Sequence, residues 1–560
     1  MKRAAFVFMS VWIVSAVFAQ SREIKQAPLN PEFIKYMKQI ERGEIQHETA
    51  FGYSLGYIPP PIKWKGGIPI QLNKDLVLPT RYDLRDQGTV TSVKNQSTCG
   101  CCWAFATMGS VESRWLELGL GTYDLSEQNL KNGHGFEKDA CSGGNSWMST
   151  AYFTRGDGPV LETNDPYNPN DNTYVPGLIP VAYVSDARFL PKDDNILKQT
   201  IHDSGAVFTD MFWDEAYYNA SNFTYYYNGP DTTVNHAVLL VGWDDNKSTA
   251  AGKGAWIIKN SWGTSFGENG FFYIAYNDTE VNTDPAFWPN RTIYNTATII
   301  HYYDKLGMIG AVGYSIDTGY GLVKCVAATK QNITKLGTWV FGNNTTVSFT
   351  VYDNFNETTT TLSNVLGSIG NQLCNYSGYY TFDLPSPIAI NNGNDFYVKV
   401  KYTCPGSQYP VPMEQFLKDY ANPIIESGKY WLSYNGQNGT WTALGSGTSY
   451  GYDLCIKAYN SSVFDEDSKA ELPSTFVLYQ NRPNPFNSTT RIAYSLPTSQ
   501  HVVLKVYDLS GREVATLVDE WKALGNYGVD FNAGHLPSGM YVYRIKAGDF
   551  VQARKLMLLK

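Results

Sequence analysis

Basic residues are sparse and scattered: 44 lysines and arginines stand against 52 acidic residues, the formal net charge is −8, and no Lys/Arg run appears. A surface that tracks phosphates needs clustered cations, so nucleic acid is excluded as a partner. Long apolar runs are missing too. Beyond the N-terminus no segment has eighteen uninterrupted apolar residues, and no later membrane span is expected. Histidine is scarce, with seven in 560 residues, which leaves few candidates for any chemistry that needs an imidazole. No short-period internal repeat is evident.

What is abundant is tyrosine (40) and glycine (49), with many Asn and Thr, a bias toward β-rich and loop-rich domains. The length exceeds one hydrophobic core and suggests roughly three or four units. The first twenty residues, MKRAAFVFMSVWIVSAVFAQ, place Lys2 and Arg3 before a short apolar run ending at Ala19, the pattern of a secretory signal peptide over 1–19. Residues 20–77 are polar and then Pro-rich, with one short amphipathic stretch around Phe33–Ile40. From Leu78 to about Tyr276 the pattern is mixed. A helical period over 102–118 runs through Trp103, Ala106, Ser110, Trp115 and Leu118, and Ala237–Gly242 and Ala255–Lys259 read as buried strands. Beyond about residue 295 the period becomes two, as in Val347, Phe349 and Val351, which predicts an all-β unit. After an acidic stretch, Phe464–Glu471, alternation at Val502, Leu504, Val506 and at Tyr541, Tyr543, Ile545 predicts a final small β-sandwich.

Export permits disulfides, which bears on the eight cysteines at 99, 101, 102, 141, 325, 374, 404 and 455. The last four allow two bridges in the all-β unit, in any of three pairings. The first three fall within STCGCCWAF, residues 97–105, and three readings compete for them. A zinc site with Cys141 as fourth ligand is disfavoured, because vicinal cysteines are poorly placed to chelate one tetrahedral ion. A purely structural disulfide cluster leaves one thiol over, since adjacent cysteines rarely bond each other. The third reading is a nucleophile. Cys102 opens the predicted helix, where unpaired N–H groups and the helix dipole favour a thiolate. Such a thiolate needs a proton partner. Histidines 47, 134, 202, 301, 501 and 535 lie in the leader, loops or β-units, whereas His236 stands just before an apolar strand. Asn260 ends the next strand, where its amide is placed to orient the imidazole, and Trp262 to shield that bond from water.

These residues resemble the papain family of cysteine proteases: Cys-Gly-Cys-Cys-Trp at 99–103 near the start of the mixed region, with His236 and Asn260 lying 134 and 158 residues after Cys102. Leu78–Gly88, Val93–Gln96, Leu125–Gln128, Cys141–Gly144, Asn260–Gly263 and Gly267–Gly270 extend the resemblance over about 200 residues. It implies an α+β fold, with a two-lobed catalytic domain at 78–285 that joins a helical lobe to a β-barrel-like lobe. It implies acyl transfer on protein or peptide substrates, with Cys102 as nucleophile, His236 as acid/base, Asn260 as orienter and Gln96 as oxyanion donor. It further implies a Cys99–Cys141 bridge, Gly143 and Gly144 as the place where an extended peptide lies close, and Ser146 and Val234 near the second specificity pocket, with Trp262 beside the site. Neither cofactor nor metal is implied. Cys101 replaces the usual small Ser or Ala and is expected to be a packed residue, with a redox-sensitive neighbour of the nucleophile as the alternative. A cysteine common in relatives is missing after Leu130. Residues 20–77 sit where a propeptide would, although the long helical inhibitory pattern is not clear, so inhibition by this segment is an expectation only.

Residues 295–460, beginning Tyr302–Gly307, resemble a lectin-like domain found behind some bacterial papain-type peptidases. That resemblance implies either a β-spacer or a glycan-binding module with exposed Tyr and Trp as stacking platforms. Residues 473–560, with Tyr479–Asn487, Val506–Val514 and Leu536–Arg544, resemble the C-terminal sorting domain of the bacterial type IX secretion system, which implies that machinery as a partner and secretion or cell-surface attachment. The functional expectation is a secreted cysteine endopeptidase. The rivals are an inactive or weakly active surface glycan-binding protein on the same scaffold, and a papain-like exopeptidase.

Overall fold

The computed structural model describes residues 23–63, 78–230, 232–295, 298–461, 476–478, 481, 484–498, 500–522, 525–548 and 550–559. The leader read at 1–19, the stretch 64–77 and the acidic stretch at 464–471 lie outside the described residues.

The mixed region is two-lobed. Its axis is the helix Cys102–Glu117, which packs on the strands Val207–Met211 and His236–Thr249 of one lobe and on the helices Glu127–Gly133 and Ser146–Thr154 of the other. The predicted apolar stripe understates its burial: thirteen of its residues, from Cys102 to Trp115, are buried. A helix enclosed on all sides needs small residues where neighbours come close. A Cβ on Gly109 would stand 2.8 Å from Leu239 Cδ2. Polar side chains on the axis find partners inside, Ser110 Oγ donating to Ala206 O (2.7 Å) and Thr107 sharing a hydrogen bond with Ser149 (2.8 Å). The two shorter helices start on side-chain caps, Ser126 Oγ on Asn129 N–H and Asn145 Oδ1 on the N–H groups of Trp147 and Met148.

The second lobe is mainly antiparallel, with Thr224–Tyr225 added in parallel to Phe271–Ala275. Val207–Met211 pairs with His236–Thr249, with Met211 opposite His236; that long strand turns back at Gly252 into Gly252–Lys259, which pairs in turn with Phe271–Ala275. His202, expected in the leader, a loop or a β-unit, instead lies on the helix Asp194–Ser204.

The all-β unit is built as its alternation predicts: Val347, Phe349 and Val351 are buried and the residues between them are not. The sheet does not stop at the unit's edge. Ala187–Phe189 of the peptidase-like region pairs with Ser377–Ile390, so that one sheet of thirteen strands runs through both units. Gly378 makes this contact close, at φ 148°, where a Cβ would fall 2.1 Å from Ala187 O. Arg188 seals it, donating to Tyr379 O (2.7 Å) and lying 3.5 Å above the Tyr380 ring.

The segment before the two-lobed region is tied to the all-β unit as well. Lys25–Gln26 adds a strand to Gly310–Gly313, and the helix Pro31–Arg42 sets Phe33 edge-on against Tyr420 at 5.1 Å. The last unit is a sandwich of a three-stranded and a four-stranded sheet, with Val502, Leu504, Val506, Tyr541, Tyr543 and Ile545 in its core.

Two expectations are corrected. The cysteines at 325, 374, 404 and 455 form no bridges; each is buried and free. Cys325 and Cys374 sit in the core of the all-β unit and Cys455 in the core shared with the helical lobe, so they serve as small apolar side chains. The tryptophans of that unit, Trp339, Trp431 and Trp441, are also buried, so they offer no surface platform for a sugar.

Alkylation of the unfolded, unreduced protein is expected to label six cysteines and to leave Cys99 and Cys141 as one cross-linked peptide pair in mass spectrometry. Additional cross-linked pairs among the four cysteines of the all-β unit would contradict this packing.

Candidate active site

Cys102 is the first residue of the buried axial helix, and Cys101 before it makes no side-chain cap. The N–H groups of Cys102 and Trp103 face the Cys102 sulfur, while Ala104 N–H donates to Cys101 O (2.9 Å), and Ala237 N–H also donates to the sulfur across the cleft (3.3 Å). Burial nevertheless pushes the thiol up to about 12, against hydrogen bonds from the N–H groups of Ala237, Gly56, Trp103 and Cys102 itself.

His236 opens its strand from the opposite lobe and is fully buried. Its Nε2 meets Asn260 Oδ1 at 2.8 Å, and that same oxygen accepts from Ser261 N–H (2.8 Å). An oxygen that only accepts assigns the proton to Nε2 and leaves Nδ1 as the basic nitrogen. Nδ1 is buried without a hydrogen-bond partner among the described residues. Trp262 stacks on the ring at 4.5 Å, covering the His236–Asn260 bond. Burial lowers the imidazole to about 4, partly opposed by Asn260. Burial thus favours the neutral form of both thiol and imidazole in this arrangement.

The cause is the segment ahead of the two-lobed region, which lies in the cleft. Gly56 and Tyr57 donate to Asn235 O (3.1 and 3.0 Å), Gly144 donates to Gly56 O and Ile58 to Gly144 O (both 3.0 Å), and Tyr57 pairs with Gly144 in parallel register. Gln96 Nε2 donates to Ser54 O (3.0 Å) and to Cys99 O (2.9 Å), while its Oε1 accepts from Ser261 Oγ (2.6 Å). Tyr53 stacks flat on Trp262 at 4.6 Å. Contact is close enough to demand glycine on the segment itself: a Cβ on Gly56 would stand 1.9 Å from Gly100 O.

The two cleft glycines divide their work. A Cβ on Gly143 would lie 2.9 Å from Gly56 O, so its bareness admits the peptide; one on Gly144 would strike Trp103 at 2.4 Å, so Gly144 is bare for the core and offers its backbone to the cleft. Val234 lines the same cleft as Tyr57. Ser146 is buried in the first turn of its helix, where its carbonyl accepts from Thr150 Oγ1 (2.8 Å). Cys99 and Cys141 are joined by a disulfide with Cα atoms 4.7 Å apart, which removes both from the zinc set weighed above. Cys101 is packed, fully buried, with its sulfur 3.2 Å from Tyr167 Oη.

Sequence reasoning missed Asn235, Ser261 and the acidic pair Asp210 and Asp284. Asn235 and Ser261 sit directly beside His236 and Asn260, so a reading of neighbours would have reached them. The acidic pair joins residues 74 positions apart, with Asp284 N–H donating to Asp210 Oδ1 (2.8 Å), and carries no local signal.

Residues 78–287 match the family model of the papain family cysteine proteases, 300–460 that of a lectin like domain, and 482–559 that of a secretion system C-terminal sorting domain. Cathepsin F of Mus musculus is 31% identical over 260 residues, 42% of this chain and 53% of that protein. The chain therefore spans about half the length of that relative. Cathepsin S of Rattus norvegicus is 34% identical, over 42% of this chain and 72% of the relative. Digestive cysteine proteinase 1 of Homarus americanus is 34% identical, over 44% and 81%. The fold is shared with the crystal structure of the cysteine protease and lectin-like domains of Cwp84, a surface layer associated protein of Clostridium difficile, at a TM-score of 0.65 and 21% identity, covering 78% of this chain and 98% of that one. The sorting domain marks an exported protein, secreted or held at the cell surface. With its two-lobed cleft and relatives matched over most of their own length, the chain belongs to the papain family of cysteine proteases.

Proposed function

We propose that the chain is the precursor of a secreted cysteine endopeptidase in which residues 23–63 hold the cleft shut. The observation that carries this reading is an extended peptide already lying between Gly144 and Asn235, with its Ser54 carbonyl on Gln96 Nε2. The Cys102 thiol receives the Gly56 N–H of the segment there.

With the segment gone, water reaches Cys102 and His236 and removes the burial that keeps both neutral. Transfer of the thiol proton to His236 Nδ1 yields thiolate and imidazolium, each favoured by the other's charge and the thiolate by the helix start. The sulfur bonds to the scissile carbonyl carbon while the Gln96 amide and the Cys102 N–H receive the oxyanion. The C–N bond breaks as the imidazolium gives its proton to the departing amine. His236 then takes a proton from water, whose oxygen bonds to the acyl carbon. The C–S bond breaks and the thiol is restored. Asn260 keeps Nδ1 toward the sulfur throughout, under the cover of Trp262. Peptides or proteins are the substrates, and the secretion machinery that reads the last unit is the partner. The lectin-like unit anchors the inhibitory segment, and a glycan ligand for it has lost the tryptophan platforms.

After processing, a thiol-directed epoxide is expected to label Cys102, and Cys102→Ala to lose cleavage of a doubly end-blocked peptide by on the order of 10⁴-fold or more. Cys101→Ala is expected to retain both. Cleavage that survives Cys102→Ala rejects the assignment.

The segment also sets a pH dependence. His236 is lowered to about 4 in the closed form from its usual value near 6.5, so the closed form gains fully above about 6.5 and loses that gain as pH falls toward 4. Binding of a synthetic peptide spanning 44–63 to processed Cys102→Ala protein, in which no thiol shares a proton with His236, is therefore expected to weaken roughly tenfold per pH unit at most between those limits. Iodoacetamide should leave Cys102 of the precursor unmodified at neutral pH. Binding to Cys102→Ala that strengthens on acidification would contradict this arrangement.

A further inference from the structure

Beyond Gly144 the cleft ends in a pocket filled by the Tyr57 side chain, which packs near Phe208, 6.5 Å between ring centres, and donates its hydroxyl to Asp284 Oδ2 (2.9 Å). The other Asp284 oxygen lies 3.0 Å from the Lys63 ammonium, which also donates to Thr283 O (2.7 Å). Asp284 is itself held from behind. Asp210, fully buried on the strand opposite Ala237, accepts from the N–H groups of Thr283 and Asp284 (2.8 Å each) and from Thr283 Oγ1. The Asp210 oxygens are thus spent on the turn, and the Asp284 carboxylate is left facing the cleft with partners that both belong to the inhibitory segment.

In the precursor the Asp284 side chain is only 11% exposed, and departure of the segment takes away its hydroxyl and ammonium partners together. The vacated carboxylate then faces the cleft, and the Asp210 carboxylate behind it adds to the negative potential there. Burial and the Asp284 charge together hold the Asp210 carboxyl up to about 6. Beside Asp284 a cleft of about 420 Å³ opens, walled by Trp147 and Phe189, which stack at 4.9 Å, and by Asn343 and Ser377 of the lectin-like unit. Lys192 on its rim donates to Thr279 O (3.0 Å), so its ammonium is already engaged.

We propose that this pocket selects a long cationic side chain, arginine or lysine, at the substrate residue that pairs with Gly144, the second on the acyl side of the scissile bond. Asp284 reads the charge and Asp210 positions it; Lys63 holds the place of the substrate's cation in the precursor. The stacked Trp147 and Phe189 supply a flat apolar wall for the side-chain stem. The proposal rests on the peptidase reading above.

The test uses the processed protein and end-blocked fluorogenic peptides that vary only at that second position. Arginine and lysine are expected to exceed leucine by roughly ten- to hundredfold in kcat/KM, the range of a charge-assisted hydrogen bond in a half-dry site, and the excess should shrink with added salt. Asp284→Asn should lower the arginine-to-leucine ratio about tenfold or more, and Asp284→Glu should restore much of it. A wild-type preference for leucine or phenylalanine, or a ratio untouched in Asp284→Asn, overturns the proposal. Titration with the thiol-directed epoxide accompanies every variant. Protein that titrates and cleaves without a cationic preference sinks this inference alone, whereas wild-type protein that neither titrates nor cleaves sinks the peptidase reading beneath it.

Discussion

The cleft depends on one constraint: a helix buried on every side whose first residue is a cysteine. Because Cys102–Glu117 is enclosed by both lobes, its start is held rigidly at their junction, with the N–H groups of Cys102 and Trp103 toward the sulfur. The second lobe brings His236 to that point as the first residue of a strand, and the hairpin that follows brings Asn260 back to it. Small residues along the helix make the enclosure feasible, since Gly109 against Leu239 leaves no room for a side chain. The disulfide between Cys99 and Cys141 then ties the loop before the helix to the glycines of the opposite wall.

Closure of the site is a matter of water as much as of steric blocking. The segment 23–63 buries a thiol and an imidazole that need solvent or each other's charge to ionise, and burial favours the neutral form of both. It is held there by surfaces on both sides of the molecule. Its first strand and helix belong to the lectin-like unit, through Gly310–Gly313 and Tyr420, while its later residues cross the peptidase cleft. Tyr420 also reaches Asn145, the cap of the helix behind the glycine wall, with 3.1 Å between Asn145 Nδ2 and Tyr420 Oη. The accessory unit therefore acts on the cleft through contacts, whatever else it binds.

Legibility followed the range of the interactions. Alternation in the last two units was readable because an exposed sheet face and a buried one differ at every second residue, as Val502, Leu504 and Val506 bear out. The axial helix was placed correctly but its burial was not, because a stripe of period 3.6 cannot announce that the other faces are also covered. The short helix at Pro31–Arg42 was visible as an amphipathic stretch, while its partner Tyr420, almost four hundred residues away, was not. The unpaired cysteines show the same limit, since counting them gives even numbers but not distances.

The sequence by itself determined which sulfur opens a helix, which of seven histidines precedes a buried strand, and which asparagine follows the next. These are local patterns, and local patterns select residue types and elements. Only the tertiary structure decided that Ser54 lies on Gln96, that Tyr57 and Lys63 share Asp284, and that one sheet crosses from the peptidase into the lectin-like unit. Each of these joins residues distant along the chain, and such contacts depend on how the lobes pack together, which no short stretch encodes.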